Sequence, residues 1–514
     1  MWYTRAAFIL LFYGFCMVCI AQKEDYYWVK GYGPRASVPD TGVNRSFGAT
    51  ILNFNVSPVD TIRFVGLLNM YRTNASFCDS AGQIQLYTNG VQVYNRNNVL
   101  MDNGDSLNAG YMLYEYDPWY AKNGYFIQQG ALVLKQPGDL QLWHIFHTYR
   151  DSSNELGLYY YDKLYRSVAD MQWNGGLGKI VSKNIPHITD TIGGDISACR
   201  HSNGQSWWII SQESGTNCYY RTLLDSSGVH LLPDKNCDGA PTARNEYSVS
   251  TFTPDGTKYI RLSQHFGLQI FNFNRCTGML SHPVSIPLHE LIDSFWFGLG
   301  VAVSPNSRYL YASVTSRVYQ YDLFAGNVAA SKQVIAIYDG FADRYCDSCV
   351  YFETRFESAQ LAPDGKIYIE TGNGTRYLHV IDYPDSAGAA CQFRQHGFRV
   401  PTWNSDMPNF PNWRLGAAVC QTGLPVFEPL KFQVFPNPFS EQIAVDYAQV
   451  DWTDKAFLQL AITDIYGKRC YESTLSRFSA YQSIPTGQLQ SGAYFIHITD
   501  DTWRLMAVKK CIKE

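Results

Sequence analysis

The residues whose types and spacing suit chemistry are few and scattered. Cys346-Asp-Ser-Cys349 is the one Cys-x-x-Cys in the chain, a spacing used by dithiol oxidoreductases and by zinc sites. A redox role needs a βαβ context and a zinc role needs a second close cysteine pair. The sequence supplies neither, so Cys346 and Cys349 read as a local disulfide. His144 and His147 lie three positions apart in WHIFHT, which on a strand turns them to opposite faces and away from a shared metal. Asp102-Asn-Gly-Asp105 lacks the alternating oxygen ligands and terminal Glu of a calcium loop and reads as a solvated turn. Trp207-Trp208 and the 37 tyrosines suit stacking on sugar rings, yet alternation along a strand puts one Trp into a sheet interface and the other outside. No His-Glu-x-x-His, Gly-x-Ser-x-Gly, Walker or complete EF-hand sequence occurs. No catalytic, cofactor-binding or metal-binding set is assigned from sequence.

The elements that would position such residues are short strands. Charged residues make up 17% and aromatics 15% of the 514 residues, with 40 glycines, a balance that suits strands joined by tight turns. The formal net charge of −4 and the absence of a Lys/Arg run exclude a nucleic-acid partner. A β-run, a Pro-Asp-Gly type turn and a second β-run recur in STFTPDGTKYIRLSQHFGLQIFNF from Ser250, VAVSPNSRYLYASVTSRVYQYDL from Val301 and AQLAPDGKIYIETGNGTRYLHVIDY from Ala359. Weaker copies include CDSAGQIQLYTNGVQVYN from Cys78, WHIFHT from Trp143 and the Asn203-Gly204 hairpin before Trp207. The repeat of about 50 to 60 residues matches one propeller blade, whereas a chain of sandwiches repeats near twice that. Six units run from Phe47, and Asn409 to Cys420 is expected to add a strand that closes the ring. The expected fold is all-β: a β-propeller of seven blades over residues 22–420, followed by a small C-terminal β-sandwich.

The first 21 residues read as a secretory signal peptide, with Arg5 in the n-region, an apolar Ala6 to Ile20, and small residues before a cleavage between Ala21 and Gln22. The apolar stretch is shorter than the roughly 20 residues of a spanning helix. Removing it leaves eleven of the 13 cysteines, an odd number that requires at least one thiol unpaired within the chain.

Gly423, Pro425 and Pro429 mark a linker over residues 421–430, and a new domain fills 431–514. There Leu458, Leu460 and Ile462 share one face of a strand, as do Tyr494, Ile496 and Ile498. Pro436-Asn437-Pro438, the Asp464-x-x-Gly467-Lys468 turn, Leu489-x-x-Gly492-x-Tyr494 and the basic ending with Lys509 and Lys510 follow in order. This pattern resembles the type A sorting domain of type IX secretion cargo in Bacteroidetes. The resemblance implies recognition by the type IX machinery, export, and release or attachment at the outer-membrane surface. Cys470 and Cys511 are not part of that pattern and would either bridge or pack. The body, through its Asp255-Gly256 and Asp364-Gly365 turns, its Asn203-Gly204 blade and the segment from Cys78, resembles exported propellers of WD-repeat and Tol type.

For function, the absence of a catalytic signature favours a secreted or surface binding protein whose propeller face meets an extracellular glycan or protein, without a cofactor. The alternative is an extracellular hydrolase or lyase with its site at the propeller axis. The two differ in what that axis holds, because an enzyme needs carboxylates, His or Arg converging in one place.

Overall fold

The computed structural model describes residues 22–32, 48–64, 68–110, 113, 124–153, 158–244, 246–288, 298–344, 351–372, 374–404, 407–420, 432–447, 457–465, 468–499 and 505–514. Ala21, Cys346, Cys349 and Gly467 lie outside them. The chain divides into two compact units, Met1–Val419 and Cys420–Glu514, and both are built from strands.

Among the described residues the larger unit is a succession of seven small antiparallel meanders, lying within 27–64, 75–95, 131–188, 197–237, 248–286, 299–337 and 359–404, with a strand pair, Ala342–Arg344 and Tyr351–Glu353, between the last two. The turn chemistry sets these meanders. Gly256 takes φ +70° and Gly365 φ +80°, left-handed positions that glycine reaches without steric cost. The Asp255 carboxylate accepts from the backbone N–H of Thr257, and Asp364 accepts likewise from Lys366. Asn306 does the same for Arg308, with Ser307 supplying the positive φ.

Each sheet buries both faces, so its strands do not alternate cleanly: Tyr309–Val314 and Leu299–Val303 are buried at every position. The apolar clusters form between neighbouring sheets. One joins the fourth and fifth through Trp208, Tyr219, Tyr259 and Phe271, the next joins the fifth and sixth, and another the sixth and seventh. The seventh meets the first through Trp28, Leu52, Tyr368 and Val400. The lead strands, meaning the first strand of each sheet, also lie side by side. Ser248–Phe252 contacts both Ser197–Arg200 and Leu299–Val303, and Leu299–Val303 contacts Ala359–Leu361.

Three expectations are corrected here, and one open alternative, packing rather than bridging of Cys470 and Cys511, is decided. The first sheet begins at Tyr27, ahead of the first unit read from Phe47, because a single five-residue strand carries no turn signature of its own. Residues 409–420 form no strand and instead run as an irregular strap held by side chains. Trp207 and Trp208 are both buried, since a sheet packed on both sides has no outer face. Trp207 meets Trp413 at 4.8 Å and the Trp208 indole N–H donates to the Arg275 carbonyl at 2.8 Å. Cys470 and Cys511 are both free and sit on opposite outer strands of a four-stranded sheet. Three strand spacings, roughly 14 Å, separate those strands, too far for a bridge.

The smaller unit has a three-stranded sheet (Gln433–Phe435, Gln442–Asp446, Tyr481–Pro485) and a four-stranded sheet (Arg469–Leu475, Leu458–Asp464, Gly492–Thr499, Leu505–Lys513). Ile443, Val445 and Ile484 of the first and Leu458, Leu460, Ile462, Tyr494, Ile496 and Ile498 of the second share one core. The alternation read in the sequence is the observed burial pattern.

Candidate functional site

The residues singled out for chemistry do not converge. His144 and His147 are buried on opposite faces of one strand. The ring of His147 bonds Asn108 at 2.7 Å and Ser167 at 2.9 Å, and His144 bonds Gln136 at 2.9 Å. Burial depresses both, His147 to about 3 and His144 to about 4, the latter aided by Arg166. Both are neutral structural imidazoles. Asp102 pairs with Lys179 at 3.2 Å and Asp105 with Lys183 at 3.3 Å, on the surface. Among the described residues no group of His, Cys, Asp and Glu is arranged to hold a metal ion.

Charges gather instead at one end of the lead strands. Gln128 lies upstream of the third lead strand and donates to the Leu299 carbonyl, at the start of the sixth, at 2.8 Å, and to the Ser358 hydroxyl, at the start of the seventh. Gln129 exchanges bonds with the Ser250 backbone in the fifth, at 2.8 and 2.9 Å. The starts of these strands therefore meet. Arg72 lies just upstream of Ala75 and Glu357 just upstream of Ala359, and their side chains pair at 2.5 Å. The Glu357 backbone N–H donates to the Glu370 carbonyl at 2.8 Å, and the Glu370 carboxylate takes the ammonium of Lys30 in a fully buried ion pair that joins the seventh sheet to the first. On the other side Arg261 lies buried between Asp195 and Glu246, 3.8 Å from each. Ser248 links the group, donating to Asp195 at 2.5 Å and accepting from Arg261 at 2.7 Å.

Glu357 has a place made for it by glycines. The first carbon of a side chain at Gly372 would fall 1.7 Å from the Glu357 carboxyl carbon, and one at Gly298 would fall 2.3 Å from its Cγ. Beside the pair, Phe126 stands 5.2 Å from the Tyr71 ring. The guanidiniums of Arg72 and Arg150 lie 5.6 and 6.0 Å from the Phe126 centroid.

Beside these charges the lead strands are bridged by amides. The Asn409 side chain donates to the carbonyls of Ala131 and Ile196 at 3.0 and 2.8 Å, and its backbone N–H donates to Asn74 at 2.9 Å. The strap continues through Asn412, which donates to Pro254 at 2.7 Å, to Arg414, which pairs bidentately with Asp25 at 2.6 and 2.8 Å. A cavity of about 380 Å³ remains beside the strap, lined by Phe252, Val301, Leu361 and Gln360 and bordered by the turn prolines Pro254, Pro305 and Pro363. These charges were not found in the sequence because they are drawn from five different sheets, the first, second, fourth, fifth and seventh. One signal was available: a charged or amide residue stands one to three positions before a short buried β-run at Arg72, Gln128, Asp195, Glu246 and Glu357.

In the smaller unit the sorting-pattern residues serve turns and edges. Asn437 accepts from the Ile512 N–H at 2.9 Å, fastening Pro436 and Pro438 to the final strand. The Asp464 carboxylate accepts from the Lys468 N–H at 2.9 Å. Tyr494 donates to the Gln490 carbonyl at 2.9 Å, closing the loop that holds Leu489 and Gly492. Lys509 and Lys510 are exposed.

Comparison with known proteins bears on the two units differently. Residues 433–514 match the family model described as a secretion system C-terminal sorting domain. No curated protein matches the chain. Among solved structures, PorZ of Porphyromonas gingivalis, described as an essential bacterial surface component of the type IX secretion system, is 11% identical with TM-score 0.34, over 91% of this chain and 63% of that one. The chain thus spans less than two thirds of PorZ. A putative 6-phosphogluconolactonase from Bacteroides uniformis is 10% identical, TM-score 0.37, over 74% of this chain and 99% of that one. The periplasmic gluconolactonase of Pseudomonas aeruginosa is 11% identical, TM-score 0.39, over 74% and 98%. The expectation of a non-enzymatic body is corrected at this point. The finding that stands against it is that the solved structures similar to the chain include gluconolactonases and putative 6-phosphogluconolactonases. The C-terminal unit is a secretion-system sorting domain, and the protein is exported through the type IX secretion system to the cell surface.

Proposed function

We propose that the larger unit is a closed seven-bladed propeller acting outside the cell as a hydrolase or lyase, with Glu357 as its acid–base carboxylate and Arg72 as the group that orients it and stabilises developing negative charge. The observation that carries the reading is the Glu357–Arg72 pair at the meeting point of the lead strands, with Gly298 and Gly372 kept clear for its carboxyl. Burying charges costs several kcal/mol each, and apolar packing would serve a purely structural axis at least as well. Placing three such groups at one end therefore supports a working site. The apolar clusters between successive sheets, and between seventh and first, support ring closure.

Around this body the same proposal sets a signal peptide over 1–21 cleaved between Ala21 and Gln22, a propeller over 22–420, a linker over 421–430 and a sandwich-type sorting domain over 431–514. Pro436, Asn437, Pro438, Asp464, Gly467, Lys468, Leu489, Gly492, Tyr494, Lys509 and Lys510 mark the domain that the secretion machinery recognises, and Cys346 with Cys349 form a local disulfide.

Purified mature protein assayed against polysaccharides, their oligosaccharides and sugar lactones should turn over at least one of these classes. Absence of turnover across all three would refute the enzymatic reading. Amino-terminal sequencing of secreted material should begin at Gln22, and a chain lacking residues 431–514 should stay in the periplasm.

A further inference from the structure

We infer that the cavity beside the strap takes a compact neutral ligand bearing an acetamido group, an N-acetylated sugar, held by the open peptide edges of the lead strands. The inference stands on that cavity and needs no step of the reaction proposed above. Each lead strand is the outermost strand of its sheet, so alternate peptide groups along it point to an edge that no strand pairs. Ladder bonds fix which groups these are. The Ser304 N–H donates to the Tyr309 carbonyl and the Ala362 N–H to that of Lys366. Val301 and Val303 in the sixth lead strand, and Ala359 and Leu361 in the seventh, therefore turn their N–H and C=O away from their own sheets. The same period turns Ala198 outward in the fourth, two residues beyond Ile196, whose carbonyl is met from outside by Asn409.

The chain itself shows what such an edge accepts. Gln129 meets one peptide unit with both ends of its amide, accepting from the Ser250 N–H at 2.8 Å and donating to the Ser250 carbonyl at 2.9 Å. Gln128 serves the Leu299 carbonyl and Asn409 those of Ala131 and Ile196 in the same manner. Further along these strands lies the cavity of about 380 Å³. Ser250, Thr251 and Phe252 line it in succession, as do Val301, Ala302 and Val303. A strand can do this only with its edge, because successive side chains point to opposite faces. Among the described residues no side chain bonds the peptide groups of Ala198, Val301, Val303 or Ala359. The seventh lead strand, Ala359–Leu361, is half-buried at every position, so the cavity opens to solvent. Peptide groups lining such a space need a partner that donates and accepts, and a secondary amide does both without charge. Charge would find nothing free to pair with, since the ion pair on the border, Arg414 with Asp25, is closed bidentately. The open groups come two to a strand from several strands, too few in line for a peptide strand, and the volume is at the small end for ligand pockets. An N-acetylated hexose unites the acetamido group with that size.

The test is calorimetric binding of N-acetyl-D-glucosamine and of D-glucose, a pair differing in the acetamido group, to the mature protein, with amide hydrogen exchange followed by mass spectrometry in the presence and absence of the first sugar. N-acetylglucosamine should bind at least about fivefold tighter than glucose, with an affinity that salt leaves unchanged. It should slow exchange at least about threefold in residues 299–303 and 359–361. Equal affinities for the two sugars, or no saturable binding of N-acetylglucosamine, would overturn the inference. So would protection that falls around Arg72, Glu246 and Glu357, which would move the ligand to the charged end. Tighter binding of N-acetyl-L-alanine methylamide than of the sugar would overturn it in favour of a peptide.

Discussion

At one end of the lead strands, the start of all but the first, the body buries Arg72 with Glu357, Lys30 with Glu370, and Arg261 between Asp195 and Glu246. At their far ends it sets Pro254, Pro305 and Pro363 around a cavity faced by Phe252, Val301 and Leu361. The same strands run between the two ends, so the fold by itself does not dictate the difference. Turns at the far end need only φ preset by proline and a left-handed corner. The near end holds charges that must be desolvated and then matched, which a succession of packed sheets has no structural need to do.

The comparison breaks most sharply if charge pairs at the near end prove dispensable. Lys30→Met leaves the Glu370 carboxylate buried and should cost about 3–5 kcal/mol, read from the shift of the denaturant midpoint. A midpoint within error of wild type would mean that the axis is open to water.

Two glycine substitutions set the ends against each other directly. Gly372→Ala meets Glu357 as well as the penalty of φ +69°, and should cost roughly 2–4 kcal/mol, combining strain and overpacking, while displacing the carboxylate and abolishing turnover. Gly365→Ala has φ +80° but nothing within 4 Å. It should cost only about 1–2 kcal/mol and leave turnover unchanged. Equal effects of the two on activity would erase the distinction between the ends.

Between the ends, Asn409→Ala removes the donor for the Ala131 and Ile196 carbonyls and should cost about 1–3 kcal/mol by thermal or chemical denaturation. A perturbation that touches neither end is acid. His147 is held near 3 by burial against an ordinary value near 6.5. As the pH falls below about 6.5 the unfolded chain takes up the proton first, so stability declines by about 1.4 kcal/mol per pH unit from this residue until the folded value is approached. His147→Asn should flatten that part of the pH profile, and a wild-type midpoint equal at pH 7 and 5.5 would contradict it.

What was legible in the sequence follows the same division. The Asp255-Gly256 and Asp364-Gly365 turns are local, and their chemistry is complete within five residues, so the repeat and the all-β class could be read directly. The alternation of Leu458, Leu460 and Ile462 was equally plain because that sheet has one wet face. Alternation puts one of Trp207 and Trp208 outside and fails, because both faces pack there. Residues 409–420 read as a strand because Asn409, Phe410 and Trp413 resemble strand residues one by one, while the bonds that hold the strap reach residues from Asp25 to Pro254. Glu357 and Arg72 stand 285 positions apart in the chain, and no spacing rule connects them.

The most direct measurement compares kcat/KM for two substitutions, one at each end, on whichever substrate the mature protein turns over. Glu357→Gln at the near end should lose at least about 100-fold, as removal of an acid–base group does, while Gln360→Ala in the far cavity should stay within about twofold of wild type in a protein that melts normally. A Glu357→Gln enzyme that keeps its rate, or a Gln360→Ala enzyme that loses it, would contradict the assignment of the charged end as the working one.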